Sequence, residues 1–401
     1  MSHIKSSILG SLFFLFYLGV SAWLPFYNIY LLDRGFSGSQ VGIISGVYQA
    51  TLFFAVPVWG VLADRFGAKR VLLLLMFMVT ILIFFLRLVS LYYLLIVYML
   101  LLASAQHPLG ALLDSLAIGH LRQASSTTFS QLRVWGSLGW AAGTVLMGHY
   151  LVTHKTAVIF PIATVLYTVT WLVAWFYQEP GEKILSYPKI SLRQLRYAFG
   201  NSRIVWFLIL LVFYGIVVAP LYIFINLYYR DIGASNQLIG LAFAIQALSE
   251  VPFYYLANTL VRRFGPAKVL LAAMIAAMLR MLVYAFISDP KAAVAIGVAQ
   301  GLHFSLFWVA VVEIMHNLVP PQWRSTAQAL LWAFHLGGGV TIGNIAIGHL
   351  SDLFPMRLVM LMASACTLLL LAGMIRYFKI KIPLTMIKIL LYSAAICRVK
   401  W

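Results

Sequence analysis

Apolar runs of about 20 residues recur along this chain without a break, as in Val71–Leu86 with its flanks and in Ile204–Ile225. Wound as a helix at about 1.5 Å per residue, such a run matches the roughly 30 Å hydrocarbon core of a bilayer. In lipid every backbone N–H and C=O must be satisfied within the protein, so only helices or a closed barrel can span it. Barrel strands alternate in polarity over about 10 residues. These runs are continuous, and the chain is predicted to be all-α. Composition supports this: of 401 residues, 63% are hydrophobic and 9% charged, against about 25% charged in a soluble domain. So few charges cannot cover a water-facing surface. We place twelve spans at 8–31, 40–62, 70–89, 91–119, 132–151, 157–177, 203–229, 237–261, 267–287, 291–318, 325–349 and 356–377.

The net charge of +18 would suggest nucleic acid in a soluble protein. Here its distribution says otherwise. With these spans, 20 of the 28 Lys and Arg fall on one side, including Arg65, Lys69 and Arg70, the Lys183–Arg203 group, Arg262 and Arg263. Basic loops stay cytoplasmic. Both termini are therefore expected inside, in a multi-pass protein of the cell inner (plasma) membrane. The expected partners are the lipid bilayer, a small-molecule substrate and protons, with no nucleic acid, and the chain is expected to act as a monomer. Two cysteines, Cys366 and Cys397, are too few for a disulfide framework. Residues 383–397 are apolar but shorter than a span, and read as a surface segment or disorder.

The halves repeat. Gly35 and Gly233, Gly42 and Gly240, Arg65-Phe66-Gly67 and Arg263-Phe264-Gly265, and Val71-Leu72 and Val269-Leu270 all keep one offset of 198 residues. The expected organisation is a six-helix bundle at 1–178, a polar linker at 179–202, a second six-helix bundle at 203–380 and a tail at 381–401. Parallel repeats of this kind build transporters with a central site between the halves. Between spans 2 and 3 the sequence reads Gly60-Val-Leu-Ala-Asp64-Arg65-Phe-Gly67-Ala-Lys69-Arg70. This resembles the cytoplasmic signature of the major facilitator superfamily, with Ala68 where the pattern has Arg. Asp64 at a helix end can pair with Arg or cap a neighbouring helix, making and breaking a latch between states. Gly60 and Gly67 allow close approach and a tight turn.

Ionisable groups inside spans are costly and usually face a cavity. They are Arg87, Asp114, Arg133, Glu250, Arg280, His303 and Glu313. Glu250, Asp114 and Glu313 are candidates for a coupling proton. Arg133 and Arg280 can hold a substrate carboxylate or pair with the acids. Candidate substrate contacts are Asp114, Arg133, His107, the amides Asn28, Gln49, Asn226 and Gln246, and Trp140. The run Arg133-Val-Trp-Gly-Ser-Leu-Gly-Trp140 and the segment Ser249-Glu250-Val-Pro are similar to segments of lactose permease. By that resemblance Arg280 and His303 fall where the permease has its proton-coupling Arg and His, and Leu306 stands where it has its proton-accepting glutamate. Leu24-Pro25-Phe26, Pro108, Asp114, the Arg133 run, Ala257-Asn258, Arg262-Arg263, Arg280 and Leu302-His303 resemble the phenylpropionate-type permeases over roughly residues 20–370. That resemblance implies proton-coupled uptake of a small organic solute such as an aromatic carboxylate. Alternatives are a sugar or nucleoside proton symporter, a proton-antiport exporter, and a membrane receptor or scaffold that transports nothing. No phosphate loop, metal-ligand spacing or nucleophile constellation appears, so no cofactor, metal or enzymatic activity is expected.

Overall fold

The computed structural model describes residues 2–122, 128–177, 200–222 and 224–378. The linker expected at 179–202 lies mostly, and the tail at 381–401 wholly, outside them. The described residues are helical, with no strand among them. The first half comprises α1 (Ser2–Asp33), α2 (Gly38–Ala50), α3 (Ala55–Phe66), α4 (Ala68–Leu86), α5 (Tyr92–Arg122), α6 (Phe129–Tyr150) and α7 (Ile159–Phe176). The second comprises α8 (Ser202–Val218), α9 (Ile225–Asp231), α10 (Asn236–Phe264), α11 (Pro266–Phe286), α12 (Pro290–Ile296) and α13 (Ala299–Leu318). It continues with α14 (Arg324–Leu331), a π-helical segment (Trp332–Val340), α15 (Thr341–Leu353) and α16 (Met356–Tyr377).

Each expected span coincides with one of these helical stretches. Ten stretches are long and apolar enough to cross a membrane, and an eleventh is the pair α2–α3, bent by 41°. The remaining one, α6, has 22 residues but is diluted by Gln131, Arg133 and the glycines 136, 139, 143 and 148. Those glycines are packing surfaces. A Cβ at Gly139 would stand 2.9 Å from the Phe14 carbonyl carbon, so α1 and α6 press backbone to backbone.

Several spans expected as continuous helices are interrupted. Between α2 and α3 a 3-10 turn at Thr51–Phe53 makes the bend. Pro57 cannot donate to Phe53, and the Thr51 hydroxyl donates to the Tyr48 carbonyl at 2.8 Å. Between α8 and α9 the chain passes through a 3-10 turn containing Pro220. The Gly337-Gly338-Gly339 run falls in the π-helical segment, where Gly339 meets Gly215 so tightly that an added Cβ would lie 2.9 Å from its Cα.

The repeat noted in the sequence has a geometric basis at each glycine. Gly35 and Gly233, at φ 85° and 80°, end equivalent turns, and Gly67 and Gly265, at 97° and 82°, end α3 and α10. All four sit in the left-handed region that glycine adopts without strain.

The halves meet along two related seams. Helix α2 crosses α15, and α6 crosses α10. A Cβ on Gly42 would stand 2.6 Å from the Asn344 carbonyl, and one on Gly148 would stand 2.6 Å from the Asn236 carbonyl. Polar bridges reinforce them. Arg230 pairs with Asp33 at 2.9 Å, Asn226 donates to the Pro25 carbonyl at 2.6 Å, and Asn236 donates to Leu151 at 3.1 Å. These bridges all lie at the end opposite the basic loops at Arg65–Arg70 and Arg262–Arg263. Among the described residues, these bridges thus join the halves at the end away from the basic loops.

Candidate functional site

Between the halves lies a central cavity of about 400 Å³. Two helices present the same face to it. Helix α6 contributes Arg133, Gly136, Ser137 and Trp140, and α10 contributes Phe243, Gln246, Ala247 and Glu250. Both sets follow the i, i+3, i+4, i+7 spacing of one helical stripe. Helix α1 adds Tyr17, Leu24 and Pro25. The break between α8 and α9 adds Leu221 and Tyr222, and α13 adds Gln300 and Phe304. The wall is therefore aromatic with a few polar groups, the usual make-up of a small-molecule site.

On one side, Arg133 donates to Asp114 at 2.9 Å and to the Tyr17 hydroxyl at 2.9 Å. Its guanidinium also lies 5.4 Å from the Tyr17 ring centre. Asp114 comes from α5, so the pair ties three helices together at the open side. With side chains 44% and 33% exposed, both groups are partly buried.

On the other side, Arg280 is buried at 2% exposure. It donates to the Gln300 amide oxygen and to the Tyr284 hydroxyl. Tyr284 meets the Tyr229 hydroxyl at 3.1 Å, and Gln246 donates to Tyr229 at 3.5 Å. The Gln300 side chain also lies beside the Glu250 carboxyl group. The result is a polar arc from Gln246 through two tyrosines and Arg280 to Gln300 and Glu250, with both ends on the cavity. Glu250 forms no ion pair with a described residue. The expected closeness of Glu250 and Arg280 therefore takes the form of a shared glutamine.

The other expected residues fall elsewhere. His303 is buried on α13, off the lining, with Nδ1 donating to the Ala299 carbonyl at 3.2 Å. Glu313 is exposed and lines a separate recess with Asn258 and Arg262 near the basic loops. His107 does not join Asp114. It meets the Thr51 hydroxyl at 2.7 Å and packs on Tyr48. Asn28 accepts from Ser45 at 3.0 Å, and Asn226 spends its donor on Pro25. Both are buried at the closed end. Gln49 is buried outside the lining. Gln246 and Trp140 do line the cavity. In the loop motif, Gly60 is buried in α3, Asp64 and Arg65 lie in its last turn, and Gly67 makes the turn. Lys69 donates to the Trp175 carbonyl at 2.9 Å, and Arg70 lies next to it in the first turn of α4.

Sequence reasoning passed over Tyr17, Ser137, Tyr229, Tyr284 and Gln300. Gln300 carried the same signal that singled out Asn28, Gln49 and Asn226, an amide inside a span. Tyr284 lies four residues after Arg280, one helical turn along the same face. Tyr229 gave no signal of its own.

A model of the MFS_1 like family matches residues 7–376. Maltose permease of Geobacillus stearothermophilus is 30% identical over 374 residues, covering 91% of this chain and 92% of that protein. A probable 3-phenylpropionic acid transporter of Escherichia coli (strain K12) is 23% identical over 350 residues, covering 84% and 89%. The crystal structure of the nucleoside transporter NupG superposes with a TM-score of 0.85 at 19% identity, covering 94% of this chain and all of that one.

Proposed function

The chain belongs to the MFS_1-like family of major facilitator transporters, and from that premise we propose that it takes up a small uncharged, polyhydroxylated solute, a sugar or a nucleoside, by symport with protons. It is a secondary transporter, and the fold offers a midplane cavity for alternating access. The observation that carries the choice of solute is how the cavity's charges are used. Arg133 is already neutralised by Asp114, and Arg280 stands behind Gln300 and Tyr284. The charge left on the wall is the acid Glu250. Among the described lining residues, a carboxylate solute would meet that acid with no unpaired cation to offset it. Ser137, Gln246, Gln300 and Tyr17 suit hydroxyl groups, and the rings of Trp140, Tyr222, Phe243 and Phe304 suit the flat face of a sugar or a base. The maltose permease relative and the nucleoside transporter fold are consistent with this reading.

Glu250 is the best placed proton carrier, because it faces the cavity and its link through Gln300 to Arg280 connects it to the second half's core. Aromatic carboxylates remain the second reading, carried by the exposure of Arg133 and by the phenylpropionic acid relative. Thermal-shift and counterflow assays with maltose, uridine and 3-phenylpropionate distinguish the two. Maltose or uridine should stabilise the purified protein and exchange across proteoliposomes, and a protonophore should abolish their accumulation. Stabilisation by 3-phenylpropionate alone, lost in Arg133→Gln, would overturn the solute class. Accumulation indifferent to the protonophore would overturn the coupling.

A further inference from the structure

The two seams that close one end of the cavity are related by the repeat, yet they are not chemically equal. Helix α2 and helix α10 occupy equivalent places, with Gly42 matching Gly240. Each begins with a serine cap. Ser37 accepts from the Gln40 N–H, and Ser235 accepts from the Leu238 N–H. A helix start leaves four N–H groups without helical partners, and the cap satisfies one of them.

At α2 the next two donors cross to the other half. The Gly38 N–H donates to one Asp352 oxygen at 2.5 Å, and the Ser39 N–H donates to the other at 2.8 Å. The Ser39 hydroxyl adds a third bond, at 2.5 Å. Asp352 sits near the C-terminal end of α15, and His349, one turn before it, meets the same hydroxyl at 3.2 Å. At α10 the corresponding contact is neutral, a single bond from the Asn236 side chain to the Leu151 carbonyl at 3.1 Å.

We infer that Asp352 is a latch that holds this end of the cavity shut by capping α2 across the seam, and that the α2–α15 seam, not its repeat-related partner, sets how readily this end opens. Three charge-assisted bonds converge on one carboxylate, where the helix dipole also favours negative charge. All three span the two halves, so all three break together when the halves part. Among the described residues the partner seam has one neutral bond to lose, from Asn236 to Leu151. The buried amide of Asn344, one helical turn from Gly348 on the latched seam, has no hydrogen-bond partner among the described residues. An unpartnered amide penalises the closed arrangement, so the latch works against a built-in tendency to open.

The test uses the full-length chain in lipid nanodiscs with both cysteines replaced and no solute added. Its result is therefore independent of the solute class. Spin labels at Leu91→Cys and Phe286→Cys report the closed end, and labels at Phe66→Cys and Phe264→Cys report the opposite end. All four positions are well exposed. Asp352→Ala and Asp352→Asn should raise the open-to-closed ratio at the latched end about tenfold, lengthening the first distance and shortening the second. Ser39→Ala should give a smaller shift in the same direction, and Asp352→Glu should recover most of the closed population. If Asp352→Ala does not yield folded protein, Asp352→Asn and Ser39→Ala carry the test. Distances unchanged in Asp352→Asn and Ser39→Ala would overturn the latch, as would Asp352→Glu opening as far as Asp352→Asn.

Discussion

At the scale of single residues, the cavity separates charges that are used from charges that are held. Arg133 and Asp114 are half-exposed, so breaking the pair costs a screened interaction rather than a buried one. Asp114→Asn and Arg133→Gln should each lower stability by about 1 kcal/mol, with a double variant no worse than the sum. Thermal unfolding of the purified variants checks this. Arg280 differs, being buried and bonded to two neighbours. Arg280→Ala should cost more, because Gln300 and Tyr284 then lose a buried charged partner. Glu250→Gln preserves shape and removes the titrating proton. It should abolish uphill accumulation and leave solute exchange within a fewfold of the parent, as measured by counterflow. At this scale the sequence was legible where a charge stood inside a span, and Glu250, Arg280, Asp114 and Arg133 were all visible in that way. Tyr229 and Tyr284 were not, because a tyrosine is at home in a helix interface or at a membrane surface. Their contacts with Arg280, with Gln246 and with each other mark them as part of the arc.

At the scale of elements, small residues decide how closely helices meet. Gly42 faces Gly348 across one seam and Gly148 faces Gly240 across the other. A side chain at either place collides with backbone, which cannot swing aside. Gly42→Val or Gly148→Val should therefore hold the closed end apart at a cost to closure of about 1–3 kcal/mol. Accessibility of a cysteine in the cavity, at Trp140→Cys for example, should rise from the end that is otherwise shut. The breaks in the helices belong to this scale too. Hydrophobic length alone reads 203–229 and 325–349 as single spans. Pro220 lies in an apolar run without changing its hydropathy, and the π-helical segment around Gly337–Gly339 arises where α8 approaches at Gly215.

At the scale of the whole molecule, the polar bridges between halves among the described residues gather at the end away from the basic loops. If those loops are cytoplasmic, as their charge implies, the bridged end is the extracellular one. Cysteines at Phe66 and Phe264 should then react with an impermeant thiol reagent only in inverted vesicles, and a cysteine at Leu91 only in intact cells. The reverse pattern would place the termini outside.

The sequence by itself determined the solvent, the helices and the duplication. Apolar length, charge bias and the 198-residue register are one-dimensional properties, and each follows from a rule that acts along the chain. Only the tertiary structure decided which charges share a cavity. His107 and Asp114 are two turns apart on one helix, yet one meets α2's end and the other meets α6. His303 and Glu313 share α13 but sit in a buried core and an exposed recess. The reason is physical: a span can bury a polar group against any of several neighbours, and which neighbour it meets is set by helix packing that no local pattern encodes.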